Sequence, residues 1–228
     1  MGDEIYLITN THVICDPEWS EQQQTPGNAL KPGDARIYFE AAGDGEPQPY
    51  LVATDAVWQS PSSEYDACVL RLKEPPKDAR TAVLTVPTYP VVPAGSKSGG
   101  TPVAVLGHAG GRELQLGVRG TLLNHQGCVI DMGPRDSKVE RPVYMHYDAP
   151  TLGGNSGSPV FDTSNWQVIG LHHAGYDQQE GRPQLKGRGG HNFANEGIYI
   201  HSIGAAIEAY LTEDKPGRLA RFLKGRKK

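Results

Sequence analysis

At 228 residues, 37% hydrophobic and 21% charged, the chain has room for one large all-β domain or two small lobes. Its 28 glycines and 18 prolines suit a turn-rich globular protein rather than a disordered or collagen-like one. A net charge of -4 supplies no general pull toward nucleic acid or an anionic membrane, and no apolar run approaches the ~20 residues of a membrane-spanning helix.

Cys15, Cys68 and Cys128 form an odd set without CxxC spacing. The opening stretch MGDEIYLITNTHVICD lacks the basic and apolar regions of a secretory signal. Both features point to a reducing, cytoplasmic setting.

Short β-rich runs separated by Gly, Pro, Asp and Asn dominate from the start. Glu4–Thr9 (EIYLIT) is the first predicted strand, followed by a long polar loop over Asp16–Asp34. Arg36–Ala41, Tyr50–Gln59 and Asp66–Leu72 complete a first lobe of four strands. The proline-rich segment Lys73–Gly100 reads as a connector. A second lobe follows, with strands predicted at Pro102–His108, Leu114–Leu123, Gly127–Asp131, Val143–Asp148, Ser158–Asp162, Gln167–Ala174 and Gly197–His201. So many short, closely spaced strands argue for a sandwich or barrel rather than β/α units. In SIGAAIEAYLTED, apolar residues recur at helical spacing after Ser202, which is placed to cap the first turn. The tail GRLARFLKGRKK is basic and reads as a solvated end.

The stretch Thr151–Val160, TLGGNSGSPV, is the richest in chemistry. A nucleophilic serine has to project from a sharp turn while nearby amides face the substrate carbonyl. Gly153, Gly154 and Gly157 around Ser156 allow such a turn. The amides of Gly154 and Ser156 are then the candidate oxyanion donors, each worth about 3 kcal/mol of transition-state stabilisation. A serine also needs a base, and His12 stands at the mouth of the first strand in LITNTHV. The base in turn needs a buried carboxylate, and Asp66 opens the apolar run DACVLRL, a costly place for an unpaired charge. Read alone, His12 is also compatible with ordinary surface and Asp66 with a strand start.

Taken together, ITNTHV, YDACVLRL and GGNSGSPVF resemble the histidine, aspartate and serine motifs of the chymotrypsin/trypsin-like serine peptidases, in that order and at matching spacing. The subgroup most resembled is the bacterial one that includes the staphylococcal glutamyl endopeptidase. The resemblance runs from Ile5 to about Leu211. It implies an all-β fold of two perpendicular antiparallel β-barrels with the active site in the cleft between them, plus a C-terminal helix. It also implies an acyl-enzyme mechanism with Ser156 as nucleophile, His12 as base and Asp66 as the orienting carboxylate, without metal or cofactor.

Residue by residue, the resemblance maps the acid-binding threonine and histidine of the glutamyl subgroup onto Thr151 and His172. Glu196 and Asp177 would favour a basic residue instead if they turned inward, and a small or apolar pocket is a further alternative. His172, His173, His191 and His201 make a poor metal set, because adjacent histidines on a strand face opposite sides. Cys15 is disfavoured as a nucleophile, since the oxyanion turn is built around Ser156. Asn155 stands where the animal enzymes carry the aspartate that pairs with a new N-terminus, so that route of activation is not expected.

The expected organisation is one peptidase domain: residues 1–80 an N-terminal barrel, 81–201 linker and second barrel, 202–213 the helix, and 214–228 the basic tail. With few residues ahead of Glu4, the first barrel is expected to lack its N-terminal strands, and an upstream segment or a partner chain would complete it. The expected activity is a serine endopeptidase acting on protein or peptide substrates. The alternative from another class is a catalytically silent peptide-binding module.

Overall fold

The structure is a computed structural model, and it describes residues 4–14, 31–38, 49–53, 55–62, 64–75, 100–123, 144–175 and 194–213. The predicted strand Gly127–Asp131, most of the Asp16–Asp34 loop and of the Lys73–Gly100 connector, and the basic tail lie outside these residues. So do Cys15, Cys128, Asp177 and His191. The chain divides into two compact units. The first holds Met1–Ser62, Ala67–Val83 and Ala205–Lys228, and the second holds Ser63–Asp66 and Leu84–Gly204.

In the first unit, β1 (Tyr6–Thr9), β4 (Trp58–Ser60) and β5 (Ala67–Arg71) form an antiparallel sheet in the order β1-β5-β4. β2 (Arg36–Ile37) and β3 (Tyr50–Leu51) pair beside it. The predicted strand Tyr50–Gln59 is thus two strands. The Ala53 N–H reaches the Arg71 carbonyl and the Val57 N–H the Val69 carbonyl, so four steps along this run match two along β5. That bulge breaks the run and redirects it.

Ile14, Ala35, Val52, Cys68, Leu70 and Leu72 form the core of this unit, packed by Ile5, Leu7, Ile37 and Tyr50. Among the described strands, β1 pairs with β5.

The second unit is a six-stranded antiparallel sheet in the order β7-β6-β9-β10-β11-β8. Its strands are β6 (Pro102–Gly107), β7 (Gln115–Thr121), β8 (Tyr144–Tyr147), β9 (Pro159–Asp162), β10 (Gln167–Ala174) and β11 (Asn195–Tyr199). The sheet curls until its two edges meet at one end. Leu122, just past β7, bridges Tyr147 of β8, and the Leu123 N–H reaches the His146 carbonyl at 2.8 Å. Val103, Val105, Leu122, Met145, Val160, Ile169 and Ile198 are all buried, and β8 and β11 are buried at every position, on both faces.

The helix α1 spans Ile200–Glu213 and follows β11 without a loop. It therefore begins two residues before Ser202, which lies buried inside the first turn rather than capping it. Strand β11 is correspondingly shifted two residues toward the N-terminus of the predicted Gly197–His201. Among the described residues, no helix is long and apolar enough to cross a membrane.

Candidate active site

His12 comes from the first unit. After β1, Asn10 and Thr11 are fully buried. Thr11 Oγ1 donates to the Ser60 carbonyl at 2.7 Å, and Cys68 Sγ lies 3.9 Å from the Asn10 carbonyl. These contacts fasten the end of β1 to β4 and β5. They leave His12, half-buried, in a single 3-10 turn over Thr11–Val13.

Ser156 belongs to the second unit and sits between two consecutive tight turns. The Asn155 N–H donates to the Leu152 carbonyl at 3.2 Å, and the Ser158 N–H to the Asn155 carbonyl at 2.9 Å. Each turn demands a left-handed residue at its third position, supplied by Gly154 (φ 92°) and Gly157 (φ 84°). Ser156 thereby occupies the outer corner of the second turn. Among the described residues, neither the Gly154 nor the Ser156 amide donates a hydrogen bond, so both remain for an incoming oxygen.

The same segment is locked to the sheet from two sides. The Gly157 N–H donates to the His172 carbonyl at 2.9 Å, and the His172 N–H to the Ser158 carbonyl at 2.8 Å. On the other side, the Gly110 N–H donates to the Gly153 carbonyl at 2.6 Å. The turn extends the β9–β10 pairing, and it has little freedom.

Asp66 is fully buried, with φ at 42°, a left-handed backbone that costs a residue other than glycine roughly 1–2 kcal/mol. Two bonds hold the Ser63–Asp66 stretch on the second unit. Tyr144 Oη donates to the Glu64 carbonyl at 2.6 Å, and His173 Nδ1 lies 2.7 Å from Asp66 Oδ2. His173 Nε2 in turn lies 3.1 Å from Glu196 Oε1, and Glu196 Oε2 lies 2.7 Å from His146 Nε2. Four ionisable side chains thus run in a line, Asp66–His173–Glu196–His146.

For His173 and Glu196, burial opposes charge, but the pairing wins. For His173, desolvation is outweighed by the hydrogen bonds and negative charges of Asp66 and Glu196, which raise it to about 10. For Glu196, burial is outweighed by the bonds and charges of His146 and His173, which lower it to about 2. The line is built by register: His146 stands opposite Glu196 across β8 and β11, and a bulge between His172 and Ala174 marks His173. Both carboxylate oxygens of Glu196 thus lie against histidine nitrogens.

Strand alternation sends His172 the other way. It is buried, with Nδ1 2.5 Å from the hydroxyl of fully buried Tyr147. Thr151 Oγ1 donates to Asn195 Oδ1 at 2.7 Å, and Asn195 Nδ2 donates to the Ala149 carbonyl at 2.5 Å. Thr151 and His172 each have a protein partner, so the acid-binding role inferred for them is not read from their contacts. A separate open groove of about 450 Å³ lies beside the nucleophile turn, walled by Leu116, Val118, Pro150, Thr151 and Leu152.

Sequence reasoning passed over His146, Tyr147 and Asn195. The available signal was a polar or ionisable residue on a short apolar strand, as in YMHY and NEGIY, which requires a buried partner.

The family model of the trypsin-like peptidase domain matches residues 1–171. The chain belongs to the trypsin-like peptidase domain family. Within this trypsin-like family, it is 36% identical to a glutamyl endopeptidase of Staphylococcus epidermidis over 77 residues, which are 34% of this chain and 22% of the relative. It is 26% identical over 177 residues to an uncharacterised protein of Sinorhizobium fredii, covering 74% of this chain and 24% of that one. The chain thus spans less than a quarter of the length of these relatives.

Among solved structures, it is similar to the Rv3671c protease of Mycobacterium tuberculosis. For the inactive form the TM-score is 0.54 at 17% identity, covering 92% of this chain and 78% of that one. For the active form the TM-score is 0.53 at 19% identity, covering 88% and 66%. At that identity the likeness concerns the fold.

Proposed function

We propose that the chain is a serine endopeptidase, with Ser156 as nucleophile, His12 as general base and Asp66 as the orienting carboxylate. One observation carries this reading. Two neighbouring residues of β10 hold both second-unit members of the triad: the His172 backbone bonds the Ser156 turn, and the His173 side chain bonds Asp66. Two perpendicular β-barrels with the triad in the cleft between them are what the trypsin-like resemblance implies for the assembled fold.

In that assembly, Ser156 Oγ attacks the peptide carbonyl while His12 takes its proton. The oxyanion is received by the amides of Gly154 and Ser156, which are fixed in the turn before substrate arrives. His12 then passes the proton to the leaving amine, and water attacks the acyl-enzyme by the same route in reverse. The reaction draws on protein groups alone. A protein or peptide chain is the substrate class.

The name of the staphylococcal relatives supports an acidic residue before the scissile bond, with Thr151 and His172 as the residues that would receive it. Treatment with a fluorophosphonate and mass mapping of the labelled peptide test the reading. A single adduct on Ser156 supports it, and an unlabelled folded protein points to a silent peptide-binding module.

A further inference from the structure

Of the triad residues proposed above, Asp66 is the one whose surroundings hold something a serine peptidase mechanism does not itself require. Behind it stands a second, half-buried histidine, braced by a second buried carboxylate. Both ring nitrogens of His173 face carboxylate oxygens, Asp66 Oδ2 at 2.7 Å and Glu196 Oε1 at 3.1 Å. An ionised carboxylate only accepts hydrogen bonds, so a ring that satisfies two of them donates from both nitrogens. Such a ring is an imidazolium. Within its own unit, the groups that face it include Asp66 from the stretch before β5, Glu196 from β11 and Tyr144 from β8, whose ring lies 5.8 Å from its own. Beyond Glu196, His146 holds that carboxylate's other oxygen at 2.7 Å.

We infer that His173, fixed by Glu196, is a positioning residue for Asp66 and places a permanent positive charge behind the triad's carboxylate. The inference rests on the triad reading above. Its first consequence is geometric. With Oδ2 bonded to His173, the Asp66 carboxylate is held in one orientation, and the strained Asp66 backbone is held by that bond. Its second consequence is electrostatic. The cation partly offsets the charge of Asp66, so the protonated base is stabilised less than by a bare aspartate, and the enzyme keeps its base free at lower pH.

The two consequences separate experimentally. His173→Ala removes both brace and charge, and kcat is expected to fall about 10²-fold with KM little changed, as for an ångström-scale misplacement. His173→Gln keeps a donor for Asp66 and removes the charge. It should restore most of kcat while the acidic limb of the kcat/KM profile moves up by about one pH unit.

An unmoved limb in a folded, active His173→Gln enzyme would overturn the inference. Should these variants fail to fold, ¹⁵N spectra of the otherwise native Ser156→Ala protein decide the charge. Protons on both His173 nitrogens at pH 8 are expected, and one bare nitrogen would overturn the proposal. Failure of the triad reading looks different: the wild-type enzyme would then take no fluorophosphonate at Ser156, whatever the state of His173.

Discussion

His173 and Asp66 meet at 2.7 Å between Nδ1 and Oδ2, and Asp66 at that contact is fully buried in a left-handed backbone. The pair joins residues 107 apart in sequence. It brings a four-residue stretch, Ser63–Asp66, into the second unit although the residues on either side belong to the first. The aspartate motif thereby gains its rigidity from a partner outside the strand it introduces.

The buried line of charges makes stability depend on pH in a defined window. His173 folds with a value of about 10 against an ordinary 6.5, so its contribution is whole below about 6.5 and is lost as pH rises through about 10. Glu196 folds with a value of about 2 against 4.5, so its contribution is whole above about 4.5 and is lost as pH falls through about 2. Urea midpoints should plateau between about pH 4.5 and 6.5 and decline on both sides. In His173→Gln the alkaline decline should flatten; an unchanged alkaline decline would assign it to other groups.

The nucleophile turn depends on two glycines for different reasons. A β-carbon at Gly107 would land on Ser158 Oγ and 2.5 Å from Asn155 Oδ1, so Gly107→Ala has to push the turn outward. Overpacking of this kind costs about 1–3 kcal/mol, and peptidase activity should fall with it. Gly154→Ala faces both the positive φ and a carbonyl, His108 O, at 3.0 Å from the new carbon. On the proposed mechanism the displaced Gly154 amide is a misplaced oxyanion donor, so kcat should fall by up to about 10²–10³-fold while KM changes far less.

On the proposed acidic preference, the Tyr147–His172 contact bears on specificity. Tyr147 is fully buried, and burial raises its hydroxyl well above the usual tyrosine range, so it acts toward His172 as a neutral phenol. Tyr147→Phe removes that partner and frees Nδ1 of His172. A peptide library should show wild-type cleavage after acidic residues, with discrimination against glutamine altered at least several-fold in Tyr147→Phe and Thr151→Ala. Preferred cleavage after Lys or Arg would contradict the acidic preference.

Local pattern carried much of this molecule and failed where pairing is distant. β10 spans the predicted Gln167–Ala174, because its apolar run ends cleanly in turns. The Ser156 turn was legible because only glycine supplies the backbone it needs at positions 154 and 157. Tyr50–Gln59 reads as one strand because nothing in its composition marks a bulge, which is set by pairing with β5. The start of β11 was missed because Asn195 and Glu196 look like loop, and only Tyr147, His146 and His173, far away in sequence, make them core residues. His173 was read as a strand histidine for the same reason: both its acidic partners arrive through tertiary pairing.

The most direct measurement of the proposed triad is turnover of a peptide substrate by purified Ser156→Ala against wild type, with far-UV and near-UV circular dichroism to confirm the fold. His12→Ala should nearly match the serine variant, and Asp66→Asn should lose somewhat less. A triad with Ser156 as nucleophile predicts a loss of around 10⁶-fold in kcat with unchanged spectra. Wild-type turnover retained by a folded Ser156→Ala protein would contradict the assignment.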